Sequence, residues 1–237
     1  MASEGCIICK SELIYLEKSE LMTCEICSKS FQSNANCGNG HFICDSCHET
    51  EGFDYLEAYC QNSSSTNPVK MATAIMNNPK IKLHGPEHHF LVPAVLITAY
   101  YNKIEQAQQI KSKLKTARER AQHILGGFCG FYGNCGAGVG TGIFASVVLN
   151  TTPLSTNEWK MSNLITAESL YCIASYGGPR CCKRDTWLAL ETAVLFVSKN
   201  FDVQLDSESI VCNHFSRNKQ CLKKECKYFP SYISNIS

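Results

Sequence analysis

The stretch AQQIKSKLKTARERAQHILGG, residues 107–127, decides the fold class. Ala107, Ile110, Leu114, Ala117, Ala121 and Ile124 recur at spacings of three and four, with charged and amide side chains between them. That pattern is the seam of an amphipathic helix, and Gly126 with Gly127 ends it. The neighbouring segments read the same way. Ser155 with Glu158 is a capping-box signal for a helix running toward Gly177 and Gly178, after which Pro179 restarts the chain. The run Trp187 to Val197, WLALETAVLFV, is apolar on nearly every side, as expected of a helix buried at a domain centre. No repeat of the solenoid kind is present. The expectation is a mainly α fold: a helical domain over residues 69–237, preceded by a small zinc-stabilised β-hairpin and loop module over residues 1–60. The polar stretch QNSSSTNP, Gln61 to Pro68, has the composition of a linker between them.

Across 237 residues, an apolar fraction of 44% with 18% charged residues suits a folded globular chain and excludes wholesale disorder. The longest nearly apolar run, Phe90 to Tyr101, falls short of the roughly 20 residues that span a bilayer, and MASEGCIICK has no apolar signal core. No membrane association and a cytoplasmic location are therefore expected. The chain holds 16 cysteines, and in a reducing compartment closely spaced cysteines more often hold metals or do thiol chemistry than form disulfides. The net charge of +1 divides unevenly. Residues 1–60 carry three lysines against ten acids, −7, which leaves 19 basic against 11 acidic residues, +8, for the rest.

In the first unit, Cys6-Ile-Ile-Cys9 and Cys24-Glu-Ile-Cys27 are two CxxC knuckles near the spacing of a zinc ribbon. Each turns two thiolates toward an ion, and two knuckles complete the tetrahedron that zinc accepts. Glu12 to Thr23 between them reads as a hairpin with its turn near Lys18 to Glu20. Cys37, His41, Cys44 and Cys47 supply a second set of four, with His48 as an alternative to His41. Two zinc ions are expected. Spacing alone leaves tandem and cross-brace pairing both open. The second set resembles the centre of a RING finger, but there the C-x-H pair directly follows the first CxxC, whereas here a whole CxxC intervenes. With so few large apolar residues, the unit needs metal to fold. Nucleic acid is not an expected partner of this module, because its charge of −7, before thiolates are added, repels phosphate.

The helical domain carries further chemistry. His84-Gly-Pro-Glu87-His88-His89 contains the HxxEH string of the inverted zinc peptidases, but Pro86 fits the first position of a helix and leaves His84 in the loop before it, so the peptidase geometry fails. Glu87 and His88 stay candidates for moving protons, or for plain hydrogen bonding at a helix start. CGFYGNCGAGVGTG, residues 129–142, lacks the lysine and the preceding strand of a phosphate loop. Its Gly136 and Gly138 either let a ligand approach backbone amides or let helices pack closely. GGPRCCKRD, residues 177–185, puts Cys181 and Cys182 at a helix start among Arg180, Lys183 and Arg184, where dipole and cations favour thiolate. With Cys129 and Cys135 they are the candidate catalytic thiols, expected to converge on one site. Cys212, Cys221 and Cys226 resemble a CCCH finger without its histidine. They suit an iron–sulfur cluster with an open iron, a site completed by Cys129, Cys135, Cys181 or Cys182, or a zinc staple.

In combination, the CxxC pairs, CGNGHFICDSCH, HGPEHH, CGFYGNCGAGVGTG, GGPRCCKRD and the spaced terminal cysteines resemble an uncharacterised prokaryotic family, one of the numbered domains of unknown function. The resemblance implies a cytosolic protein, commonly from anaerobes, and carries no activity with it. A glycine-flanked cysteine followed later by Cys-Cys also resembles, with different spacing, a small family of proposed redox proteins. Two functions are expected. The first is a metal-thiolate or iron–sulfur enzyme of sulfur transfer, desulfuration or thiol redox on a small anionic or thiol substrate, with Arg180 and Lys183 binding its charge. The second is a non-catalytic zinc protein that docks a protein or RNA partner, its basic runs being Lys103 to His123 and Cys212 to Ser237.

Overall fold

The computed structural model describes Cys6, Ile8, Cys9 and residues 11–230. Its centre is the segment with a helix start expected at Pro86 and an apolar run too short for a membrane; Pro86 proves to be the N-cap. Helix α3 (Glu87–Lys103) buries Phe90 through Ala99 without interruption. Every face of it meets another helix: α1 (Asp45–Gln61), α2 (Pro68–Met76), α4 (Ile110–Ala121), α6 (Gly136–Val148) and α8 (Cys182–Asn200). Between them, α5 (Phe128–Phe131) is a single turn, and α7 (Asn157–Tyr176) lies along α6 and α8. Among the described residues no helix is long and apolar enough to cross a membrane.

The seam read from residues 107–127 holds. Ile110, Leu114, Ala117, Ala121 and Ile124 are buried, while Ala107 lies in an exposed 3₁₀ turn just before α4. The basic residues of α4 are largely engaged within the molecule. Arg118 bonds Asp54 and Glu57 of α1 at 2.6 Å each, Lys113 reaches Val147 O and Asn150, and Arg120 reaches Ser146. α7 does span the predicted interval and stops at Gly177, whose φ of 69° suits glycine. Its expected capping box does not form: Thr156 is the N-cap, and the Ser155 hydroxyl accepts from the Thr152 amide instead. In α8 the apolar run is buried on most sides but not all, since Leu195 is 72% exposed.

Glycine brings α6 close to both neighbours. A Cβ at Gly142 would sit 1.9 Å from Thr166 Oγ1 and 3.0 Å from Ser162 O of α7, and one at Gly140 would meet Pro93, Val92 and His89 O of α3. Helix backbones approach this closely only where side chains are absent.

The N-terminal hairpin differs from its expected form. β1 (Leu13–Thr23) is one antiparallel partner of β2 (Ser30–Cys37), with Leu13 opposite Cys37 and Thr23 opposite Ser30. The turn is therefore the second knuckle, Cys24 to Lys29, and residues 16–19, where the turn was expected, form an irregularity within β1. The apolar core here is small: Phe42 and the buried cysteines Cys24 and Cys44, with Met22, Phe31 and Ile43 against them. Burying one such side chain stabilises by about 1.5–3 kcal/mol, whereas fixing each backbone residue costs about 1–2 kcal/mol. A core of this size does not hold the hairpin by itself.

α1 joins the two regions. Its first turn carries Cys47, and Phe53, Leu56 and Cys60 further along belong to the helical core. Residues 62–67 then connect to α2, held by Asn102, whose side-chain amide donates to the carbonyls of Ser63 and Ser65.

Candidate metal centres and the buried cysteine cluster

The hairpin determines how the eight N-terminal ligands pair. β1 carries the chain away from the first knuckle, so Cys6 and Cys9 lie beside Cys37 at one end of the ladder while Cys24 and Cys27 lie in the turn at the other. The two knuckles consequently do not share an ion. Cys6, Cys9, Cys37 and His41 form one group, Cys24, Cys27, Cys44 and Cys47 the other, and within each group all ligand atoms lie within 4.8 Å of one another. This is the interleaved, cross-brace arrangement. His41 is the histidine used; the side chain of His48 lies outside the described residues.

The spacings identify what would fit. A tetrahedral ion with metal–sulfur bonds of about 2.3 Å sets its sulfurs about 3.8 Å apart, and a histidine nitrogen about 3.6 Å from each sulfur. Cys9 and Cys37 sulfurs are 3.7 Å apart, as are those of Cys27 and Cys44. His41 Nδ1 lies 3.3, 3.5 and 3.8 Å from the sulfurs of Cys9, Cys37 and Cys6. Both groups thus match a single tetrahedral metal ion.

Backbone donors prepare the sulfurs for charge. The amides of His41 and Cys44 donate to Cys37 Sγ and Cys24 Sγ, each at 3.3 Å. Hydrogen bonding from Ser11, side chain then backbone, lowers the Cys9 thiol to about 5. Cys24 is lowered to about 6: burial opposes this, and the amides of Cys27, Cys44 and Ile26 outweigh it. Cys44 is pushed up to about 12, first by burial, so it gives up its proton only to a cation.

In the helical domain, Cys135 and Cys181 are the N-cap residues of α6 and α8, the positions expected for them. Their acidity is not as expected. Burial pushes Cys135 up to about 12 and Cys181 to about 11, and raises Cys182 as well. The helix dipole is worth at most about 2 kcal/mol in partly buried sites, and here desolvation of the thiolate is the larger effect. The nearby carboxylate of Asp185 adds to it. Asp185 is buried, accepts from Arg184 Nε at 3.0 Å, and receives the Cys135 thiol at 3.8 Å on its other oxygen. Arg184 also donates to the carbonyls of Gly177 and Pro179. Lys183 is buried too, and desolvation lowers it to about 8.

The adjacent thiols Cys181 and Cys182 belong to different surroundings. Cys182 takes a hydrogen bond from the Gly85 amide and feels the charges of Asp185 and Cys135, which in turn lies within reach of Cys129. Cys181 instead faces the carboxyl-terminal loops. With Cys212, Cys221 and Cys226 it lines a small, partly open cavity whose wall also holds Arg184, Trp187, His214 and Asn218. Of the four cysteines considered as partners of the terminal three, Cys181 is the one that lines this cavity with them. His214 and Asn218 were not singled out from the sequence, and neither was a role for Asp185. His214 lies two residues after Cys212, but a lone histidine after one cysteine is a weak signal.

The remaining candidates take quieter positions. His88 is buried with both ring nitrogens engaged, Nδ1 to Thr186 Oγ1 at 2.9 Å and Nε2 to Lys82 O at 3.3 Å, and burial lowers its pKa well below the usual range. Glu87, also buried, pairs with Lys82 at 3.2 Å. His84 stands in the loop before α3, as expected, and burial lowers it to about 4. A Cβ at Gly136 would strike the His89 ring, and one at Gly138 would strike Leu170, so both serve helix packing. Arg180 lies over the Tyr15 ring of the hairpin, 5.2 Å from its centroid.

Fold and sites together define a cysteine-rich helical protein with an amino-terminal two-site module built for metal. A family of unknown function, DUF5714, matches residues 56–229, and the chain belongs to that family. The matched segment starts within α1, so the ligands Cys6 to Cys47 precede it. No curated protein and no solved structure matches the chain.

Proposed function

We propose that this protein is a metal-thiolate enzyme of small-molecule sulfur transfer, desulfuration or thiol redox, with two zinc ions building its amino-terminal module. One observation carries the reading: the thiol of Cys135, at the start of α6, meets the carboxylate of a buried Arg184–Asp185 pair, and Cys182, at the start of α8, feels the charges of both Asp185 and Cys135. The domain that holds them already has a large apolar core, so these polar groups are a cost to folding that packing does not require. In this reading Asp185, held by Arg184, takes the proton of Cys135; Cys182 or Cys135 is the nucleophile, and Lys183, poised near 8, supplies a proton or a positive charge to an anionic or thiol substrate.

The test uses the full chain, purified anaerobically and treated with a low-molecular-weight persulfide, with mass spectrometry of the cysteine peptides. Persulfide on Cys135 or Cys182, lost in Cys182→Ala, is the expected result. No modification of Cys129, Cys135, Cys181 or Cys182 under those conditions overturns the proposal.

A second reading, a non-catalytic zinc protein that docks a partner, has its own support. Leu13, Ile14, Tyr15, Leu21 and Ile26 of the acidic module are all exposed, more apolar surface than so small a unit needs to fold. A charge of −7 then favours a basic protein over RNA. Inert thiols together with salt-sensitive capture of such a protein by the full chain, weakened by Leu21→Asp, would favour this reading over the first.

A further inference from the structure

The cavity between α8 and the carboxyl-terminal loops is lined by Cys181, Cys212, Cys221 and Cys226, and we propose that it holds an iron–sulfur cluster carried by these four thiolates. The proposal rests on the metal-thiolate reading of the helical domain and goes beyond it by naming the cofactor and its ligands.

Spacing separates the cavity from the two sites of the module. In the module, four ligand atoms close to within 4.8 Å, as one ion requires; among the described residues no group of three Cys, His, Asp or Glu side chains at the cavity does so. A single zinc would draw four sulfurs to about 3.8 Å from one another and leave no space between them. A cluster binds each thiolate to an iron at its corner or edge, which spreads the sulfurs around a volume. Cavity and spacing therefore agree with each other and differ from the two zinc-type sites of the same chain.

Hydrogen bonds point the same way. Three of the four sulfurs already accept N–H donors: Cys181 from Asn218 Nδ2 at 3.6 Å, Cys212 from the His214 amide at 3.4 Å and Cys221 from the Lys223 amide at 3.3 Å. Donors directed at sulfur stabilise thiolate and tune the potential of a cluster. His214 supplies a further donor. Arg217 Nη2 lies 2.8 Å from its Nδ1, and since arginine only donates, Nδ1 accepts and the hydrogen sits on Nε2. That Nε2 is buried and has no protein partner, on a residue of the cavity wall. An unpaired buried N–H beside four thiols calls for an anionic acceptor, and cluster sulfide or thiolate supplies one. Arg184 on the same wall adds positive charge against that of the cluster.

All four protein positions are cysteines, so each cluster iron is fully ligated. The alternative with an open iron and three cysteines is set aside by Cys181. Because Cys182 is the next residue, the cluster would stand one peptide unit from the thiols assigned to chemistry.

The experiment is anaerobic purification of the full chain, or its reconstitution with ferrous iron and sulfide under reductant, followed by visible absorption and assay of iron, acid-labile sulfide and zinc. The parent protein is expected to be brown, with iron and sulfide in equal amounts. Cys221→Ser and Cys212→Ser, at half-buried positions, are expected to lose most of the iron and colour; Cys129→Ser and Cys135→Ser keep both. A urea midpoint of the helical signal close to that of the parent serves as the control for folding. A colourless protein that takes up a third zinc, or a Cys221→Ser variant that keeps its iron, overturns the proposal. Persulfide on Cys182 in a protein without iron would end this inference and leave the sulfur chemistry standing; iron with inert Cys135 and Cys182 would do the reverse.

Discussion

Cysteine does two different jobs on either side of α1. In the hairpin module the sulfurs are nearly all the core there is, packed with Phe42, and they close to the edge length of one tetrahedron. In the helical domain a continuous, mostly aliphatic and aromatic core runs from Phe53 to Tyr228 and takes in Cys60 and Cys226, while Cys181, Cys212, Cys221 and Cys226 line a cavity and Cys135 stands beside the buried carboxylate of Asp185. Where burial is too small to offset chain entropy, a metal ion in each group is expected to hold the fold. Where burial is ample, the fold positions the cysteines without one.

The largest expected effect follows from that contrast. Chelation of the full chain should unfold the module and leave the helices: amide exchange across β1 and β2 becomes fast while α3 stays protected. Structural zinc contributes on the order of 10 kcal/mol to small metal domains, so the change is all-or-none. Collapse of both regions together would show that the helical core depends on the module.

The pairing of ligands comes next. Cys9→Ala combined with Cys37→Ala removes two ligands of the same group, so one of two zinc ions is lost. Tandem pairing would place those two cysteines in different sites, and both ions would go.

Gly142→Ala is expected to destabilise the helical domain by about 1–3 kcal/mol, read from urea unfolding, because the added methyl meets the Thr166 hydroxyl and the backbone oxygen of Ser162. Zinc content stays at the parent value. The same substitution at Gly130, where a Cβ meets nothing within 4 Å, is the control.

A pH effect follows from the buried histidines. His84 is held to about 4 in the folded chain against 6.5 when unfolded, so below 6.5 the unfolded chain binds a proton that the native one refuses. Stability declines as pH falls below about 6.5, and the share of that decline owed to His84 is complete near 4. His88, His89 and His214 are shifted in the same direction and add to the decline. His84→Gln should make the decline shallower in that window, as measured by urea midpoints of the helical signal.

What the sequence disclosed follows the same division. The ligands of the module were legible because CxxC spacing is local, whereas their pairing depends on a strand register, Leu13 against Cys37, that no spacing contains. The seam of α4 was legible because one face of it is wet. α3 was not seen as the centre because a helix buried on every side has no amphipathic period to detect. The cavity site joins Cys181 to Cys226 through tertiary contacts, which left four partners open for the terminal cysteines. The helix-start argument placed Cys135 and Cys181 correctly and misjudged their acidity, since burial is not visible in a linear chain.

The module is expected to hold two single ions, one among three sulfurs and a nitrogen and the other among four sulfurs. X-ray absorption at the zinc edge of the full chain measures this directly. The two groups contain seven cysteines and one histidine, so the average zinc should show sulfur at about 2.3 Å and nitrogen at about 2.0–2.1 Å in a ratio of seven to one. A first shell dominated by oxygen or nitrogen, or zinc bound at well under two per chain, would contradict it.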